Sequence, residues 1–155
     1  MKIDAGEVRS TLNGLIETCK DGEEGFRTAA EKLNHPGIKS EFLRFSLQRA
    51  SFAGELQAEV TRMGSEPAQS GSTAGGIHRG WIRLKSAITG DTDQGILEEA
   101  ERGEDAALKN YHDALAKNLP SDIQAIVSRQ WQEIQQTHNT VKAVRDRGHT
   151  MTGRA

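Results

Sequence analysis

Two charged side chains, Glu104 and Arg49, are the residues whose type and position point most directly to chemistry. Each lies inside a stripe of apolar residues at helical spacing, and such a stripe is the face that a helix buries. The stripe around Glu104 consists of Leu97, Ala100, Ala107, Tyr111 and Leu115, and that around Arg49 consists of Ile38, Phe42, Phe45, Phe52, Leu56, Val60 and Met63. A buried charge is costly unless it is paired. The sequence therefore predicts that both residues have partners in the core.

Two further polar residues are expected at the depth of Arg49 and Glu104. Glu23 borders the apolar stripe of the first helix, and Gln130 replaces an apolar residue in the stripe of the last. All four lie within about four residues of the midpoints of their helices, which is ~6 Å along a bundle axis at 1.5 Å per residue. We predict a buried polar cluster in which Glu104 holds Arg49, Glu23 is a second partner, and Gln130 completes the layer.

Four long helices are predicted to position these side chains. They cover about 7–33, 37–63, 94–117 and 121–146, and a shorter helix covers 77–88. The apolar steps alternate between three and four residues, which is typical of left-handed bundle packing, and the runs of β-branched residues that indicate a sheet are absent. We therefore expect an all-α up-down four-helix bundle, with residues 1–147 as a single domain and residues 148–155 as a flexible C-terminal tail.

Composition excludes several classes of function. Lys and Arg number 20 against 22 Asp and Glu in 155 residues, so the charge indicates neither nucleic acid nor a membrane surface as a partner. Cys19 is the single cysteine, which excludes a disulfide framework. No apolar run reaches the ~20 residues of a membrane-spanning helix, and no signal-peptide core follows Met1. A bacterial-type cytoplasm is the expected compartment.

Several short phrases resemble those of a bacterial family of ferritin-like four-helix bundles that is known as a domain of unknown function. The phrases are Leu12–Glu17, Asp21–Phe26, Gln48–Ala53 with Glu55 and Leu56, Gly71–Gly75, His78–Trp81 and Glu101–Tyr111. The resemblance extends over about residues 8–147. It implies an up-down bundle with a long crossover between the second and third main helices, and it brings no established activity.

The ferritin-like superfamily implies a specific ligand set for a dinuclear metal site. Two helices each give one Glu and the other two each give Glu-x-x-His. Glu23 and Glu104 suit the first and third helices, but Arg49 stands where the second should supply its motif, and no Glu-x-x-His occurs in the chain. An arginine also repels a cation and cannot be titrated away. The favoured interpretation is therefore a degenerate site filled by an Arg/Glu cluster, with no cofactor and no catalysis.

The alternative is an altered iron or manganese site, which would make the protein a metal oxidase or a metal store. Its ligands would be Glu23, Glu104 and His138, with Glu101 as a further candidate. A third class of function is a bundle that binds a small ligand in a pocket around the polar layer. Metal content after purification would separate the second class from the others.

Other residues indicate contacts. Leu43 and Leu47 project from the second helix away from its core stripe, which predicts a homodimer or a protein partner, in keeping with an interaction protein of stress physiology. The segment with His78, Arg79 and Trp81 is a second possible contact surface, although a tryptophan there also suits anchoring of the crossover on the bundle. Gly22 and Gly25 are poor helix formers inside a strong helical pattern, which indicates close approach by another group.

Overall fold

The computed structural model describes residues 3–69, 81 and 93–152, with backbone alone for 148–152. The described residues form four α-helices and no strand, which confirms the predicted all-α class. These helices are α1 (Ala5–Lys32), α2 (Pro36–Arg62), α3 (Asp93–Leu115) and α4 (Ser121–Thr152). The short helix predicted at 77–88 lies outside the described residues, except for Trp81.

The helix boundaries follow from local chemistry. The carboxylate of Asp4 caps α1 by accepting a hydrogen bond from the Glu7 amide, and Pro36 opens α2, where its missing N–H costs nothing. The C-terminal end differs from the sequence prediction, because α4 continues to Thr152 where a tail was expected from Gly148. Loss of apolar periodicity ends the buried face of a helix, but it does not end the helix itself.

The helices form a bundle in which α1 packs most extensively on α2, α3 packs on α4, and α1 also packs on α3. Asp93, the first residue of α3, accepts hydrogen bonds from the backbone amides of Asn34 and His35 in the α1–α2 turn. The start of α3 therefore lies at the same end of the bundle as the start of α2. It follows that α2 and α3 run parallel, and the connection between them joins opposite ends of the bundle.

The core consists of two apolar clusters. One includes Leu12, Ile16, Leu56 and Val127, and the other is built around Phe26 and Phe42. Phe26 meets the Phe42 ring edge-on at 5.1 Å between centroids, an arrangement that aromatic pairs favour. Arg49 and Glu104 lie among these apolar residues, at 1% and 0% exposure.

Candidate functional site

The centre of the bundle holds an ion pair between α2 and α3. Arg49 Nη2 donates to Glu104 Oε2 at 2.7 Å, and both side chains are almost completely buried. Nε of Arg49 also donates to Gln48 Oε1 at 3.3 Å, and its guanidinium carbon lies 5.3 Å from the centroid of the Phe26 ring. Burial alone would lower the pKa of Arg49, but the carboxylate of Glu104 outweighs it and the net shift is upward. The guanidinium is therefore permanently charged.

The third member of the predicted cluster, Glu23, does not join it. Its carboxylate lies 3.5 Å from Lys20 Nζ and is partly exposed, while its backbone carbonyl accepts a hydrogen bond from the Ser46 hydroxyl. The α1 residue that faces the arginine is Gly22, where an added Cβ would lie 3.1 Å from Arg49 Nη1. The expectation that Glu23 is a second partner of Arg49 is therefore wrong by one residue, and a glycine holds the position.

The fourth member, Gln130, belongs to a separate hydrogen-bonded chain. The Tyr111 hydroxyl donates to Gln130 Oε1 at 2.7 Å, and Gln130 Nε2 donates to Glu55 Oε1 at 3.0 Å. Cys19 Sγ lies 3.0 Å from the Tyr111 oxygen, and because the tyrosine hydrogen is engaged by Gln130, the thiol is the donor there. The predicted single layer is thus divided into the Arg49–Glu104 pair and this second network.

Burial keeps two members of the second network, the Cys19 thiol and the Tyr111 hydroxyl, in their neutral forms. Burial raises the pKa of the Cys19 thiol from 9.0 to about 11 and raises the pKa of the Tyr111 hydroxyl well above 10.0. A nucleophilic cysteine requires a lowered pKa and access to substrate. Cys19 is fully buried and lacks both, so it is a residue of the core and not a nucleophile.

A cluster of potential metal ligands lies between α3 and α4. Ligand atoms of Glu101, Asp105 and His138 lie within 4.8 Å of one another, and His138 Nε2 is 2.7 Å from Asp105 Oδ1. Arg145 Nη1 lies 2.5 Å from Glu101 Oε2, so a cation already balances part of this cluster. The predicted ligands Glu101 and His138 thus meet each other, and they do so at the edge of the bundle.

The remaining predicted ligands lie elsewhere. Glu104 is paired with Arg49, and Glu23 points to solvent beside Lys20. The ligand set of Glu23, Glu104 and His138 is therefore wrong as a group. Asp105 was missed, although its spacing of four residues from Glu101 places both carboxylates on one side of α3.

Trp81 is packed into the bundle between α1 and α3. It is 8% exposed and meets Phe26 edge-on at 5.0 Å. Its indole occupies the space above two glycines, since a Cβ at Gly25 or Gly103 would lie 2.3 Å from a ring atom. The close approach predicted from Gly22 and Gly25 is confirmed. Trp81 is an anchor in the core, so its assignment to an exposed contact surface is wrong, whereas His78 and Arg79 lie outside the described residues.

The family model for "Domain of unknown function (DUF2383)" matches residues 7–117 of the chain. The chain belongs to the DUF2383 family. No curated protein matches the chain.

The DUF2383 match covers α1 apart from its first two residues, and all of α2 and α3. The Arg49–Glu104 pair, Gly22 and Trp81 lie within the matched segment, whereas α4 follows it. Both His138 and Gln130 are on α4 and therefore lie outside the match. None of the described helices combines the length and apolar character that a membrane crossing would require.

The outer face of α2 carries the exposed large apolar side chains among the described residues of this DUF2383 protein. Leu43 and Leu47 are 45% and 71% exposed. At 100° per residue their face continues along the helix without a charged residue, through Ala50, Ser51, Gly54, Ala58 and Thr61. These seven residues form the α2 outer face.

Proposed function

We propose that this protein is a non-catalytic, ferritin-like interaction protein of the bacterial cytoplasm, with a role in stress physiology. Its central ion pair takes the place of a dinuclear metal site, and its contacts are made through the α2 outer face. The observation that carries the non-catalytic part is the Arg49–Glu104 pair.

The residues at the centre of the bundle do not fit a dinuclear metal site. Such a site in a ferritin-like bundle needs four Glu and two His side chains that point inward from the four helices. Here α2 contributes a permanently charged guanidinium, and α1 contributes Gly22 next to it. Arg49 repels a cation, and its positive charge neutralises the buried carboxylate of Glu104. We therefore propose that no metal-dependent chemistry takes place at this position.

The ferritin-like part of the proposal is supported by topology. Ferritin-like bundles have one long crossover, whereas simple bundles connect all neighbours by short loops. The bonds from Asn34 and His35 to Asp93 make α2 and α3 parallel, which is the arrangement that such a crossover produces.

The partner that best fits the α2 outer face is a second copy of the chain. From Leu43 to Thr61 the face is about 27 Å long at 1.5 Å per residue. In an antiparallel pair with a two-fold axis between Ser51 and Gly54, Leu47 of one copy lies over Ala58 of the other. The large side chain of Leu47 then meets a small one, and the glycine allows the helices to approach closely.

Two measurements test this proposal. Elemental analysis of protein purified without added metal should find far less than one iron or manganese per chain, and two metals per chain lost in Glu104→Ala would refute the non-metal interpretation. Light scattering should show a dimer that becomes a monomer in Leu47→Lys, while Arg44→Glu, on the same exposed helix but off this face, should leave the dimer intact. A wild-type monomer at high concentration would exclude the homodimer.

A second candidate function is iron or manganese binding at the bundle edge. The observation in its favour is that Glu101, Asp105 and His138 bring one nitrogen and two oxygen ligands within 4.8 Å of one another. Titration calorimetry with Mn²⁺ should then show one site that His138→Ala abolishes and Glu24→Gln does not affect. Heat changes equal to those of buffer, or unchanged binding in His138→Ala, would exclude it.

A further inference from the structure

A cleft of about 340 Å³ runs between α1 and α3 and ends at Arg49. This volume lies in the range of small-ligand pockets. Small residues form much of its wall, including Gly14, Gly103, Ala106 and Ala107, and Trp81 contributes an aromatic surface. The shape is therefore open enough for an organic molecule that enters between the two helices.

The inner end of the cleft presents a hydrogen-bond donor. Arg49 uses Nη2 for Glu104 and Nε for Gln48, while Nη1 has no hydrogen-bond partner among the described residues. Nη1 faces Gly22, which also lines the cleft, so Arg49 forms the inner wall of the cleft at the point where this glycine has no side chain. Thr11 lines the same cleft, and its buried hydroxyl is unsatisfied. A buried hydroxyl without a partner is costly, so Thr11 favours a polar ligand in the cleft. A ligand acceptor would also give Arg49 Nη1 the partner that it lacks among the described residues.

The rim of the cleft has the opposite electrical character. Glu17, Asp21 and Asp113 line it together with Lys117, and Asp113 is paired with Lys109 at 2.9 Å, so the excess of negative charge at the rim is small. At the inner end the charge of Arg49 is already neutralised by Glu104, so a bare anion would enter past an acidic rim with no net positive charge to receive it. A cation alone would leave the Arg49 donor unused.

We propose that this cleft binds a small zwitterion of the amino-acid class. The carboxylate of the ligand accepts from Arg49 Nη1 at the inner end, and its ammonium group lies beside the Glu17 carboxylate at the rim. Along α1, Glu17 and Gly22 are five residues apart, or about 7.5 Å at 1.5 Å per residue. A linear ω-amino acid with five methylene groups, ε-aminocaproate, spans a similar distance and is the probe of choice.

Tryptophan fluorescence measures the binding directly. The chain has two tryptophans, so the variant Trp131→Phe leaves Trp81, in the cleft wall, as the reporter. We expect saturable quenching or a spectral shift with ε-aminocaproate. Caproate, which lacks the ammonium, and n-hexylamine, which lacks the carboxylate, should each bind at least tenfold more weakly. Equal responses to all three compounds, or no saturable response to ε-aminocaproate, would overturn the proposal.

Two substitutions locate the site in that same single-tryptophan protein. Gly22→Ala places a methyl group 3.1 Å from Arg49 Nη1 and should weaken binding at least tenfold. Gly54→Ala is the matched control, because it makes the same change on an exposed helix position where a Cβ meets nothing within 4 Å. Thermal melts confirm that both variants are folded. Unchanged affinity in Gly22→Ala, or equal loss in Gly54→Ala, would show that the ligand does not reach Arg49.

Discussion

Replacement of Arg49 by methionine tests the centre of this bundle most directly. Methionine keeps much of the volume of the arginine side chain but has no charge and no donor. Glu104, at 0% exposure, then loses the partner that lies 2.7 Å away. The side chains of Arg49 and Glu104 are only 1% and 0% exposed, so the small stability contribution of exposed ion pairs does not apply to this pair.

The expected loss is about 3–5 kcal/mol in the free energy of unfolding, the range measured when one partner of a buried pair is removed. Loss of the cation–π contact between the Arg49 guanidinium and the Phe26 ring, at 5.3 Å, adds ~1–2 kcal/mol to this value, because the guanidinium is desolvated. The cavity contribution is small, since methionine fills most of the space. Urea denaturation followed by circular dichroism measures this change in the free energy of unfolding.

Glu104→Gln in the Arg49→Met protein should recover part of the loss, because an amide is cheaper to bury than an unpaired carboxylate. The double-mutant cycle should then give a coupling energy well above the ~1 kcal/mol of an exposed pair. Additive effects of the two substitutions would refute the reasoning, because they would mean that the residues do not interact. Metal uptake by Arg49→Met would instead identify a blocked ferritin-like centre.

Three further predictions concern the packing of Trp81, the ionisation of Cys19 and the contact between Asp93 and the α1–α2 turn. Gly103→Ala should destabilise by ~1–3 kcal/mol in urea titrations, because its Cβ would lie 2.3 Å from the Trp81 ring, whereas Gly54→Ala should be neutral or stabilising. The pKa of Cys19 is about 11 in the folded protein against an ordinary value of 9.0, so the unfolded state loses the thiol proton first as pH rises. The free energy of unfolding should therefore fall between pH 9 and 11, with a contribution from this group of ~1.4 kcal/mol per pH unit. The fall should be less steep in Cys19→Ala. Asp93→Ala should cost ~1–2 kcal/mol in the same titrations, because two backbone amides lose their acceptor; an unchanged midpoint would contradict this.

The sequence allowed the ion pair to be predicted because charged residues inside apolar stripes are rare and costly. Arg49 and Glu104 each stood out on their own helix, and opposite charges at similar depth implied a contact. The four helices were predictable for the same reason, since the three-four periodicity is a property of each segment alone. Gly22 and Gly25 of α1 also gave a usable signal, because helical propensity opposes them unless something packs against them.

The errors have physical causes. Glu23 was assigned to the cluster because its carboxylate is a possible ion-pair partner for Arg49. The residue that faces Arg49 is Gly22, which has no side chain and so gave no sign of its position in the sequence. Asp105 was missed because its contact with His138 depends on how far α3 and α4 are shifted along each other. The apolar periodicity of a single helix does not predict this relative register. The last helix was ended too early because its final turns lack an apolar face, yet polar residues continue a helix readily.

The role of the central pair can be separated from its effect on stability. Replacement of a buried ion pair by apolar residues of similar volume is often neutral or stabilising, so such a pair is weak evidence that the fold needs it. The double variant Arg49→Met/Glu104→Leu should therefore be about as stable as the wild type, although Arg49→Met alone is not. If that stable variant no longer binds ε-aminocaproate, the guanidinium serves the cleft. If it binds as the wild type does, the pair is structural alone. A double variant that loses as much stability as Arg49→Met would contradict the desolvation argument for this bundle.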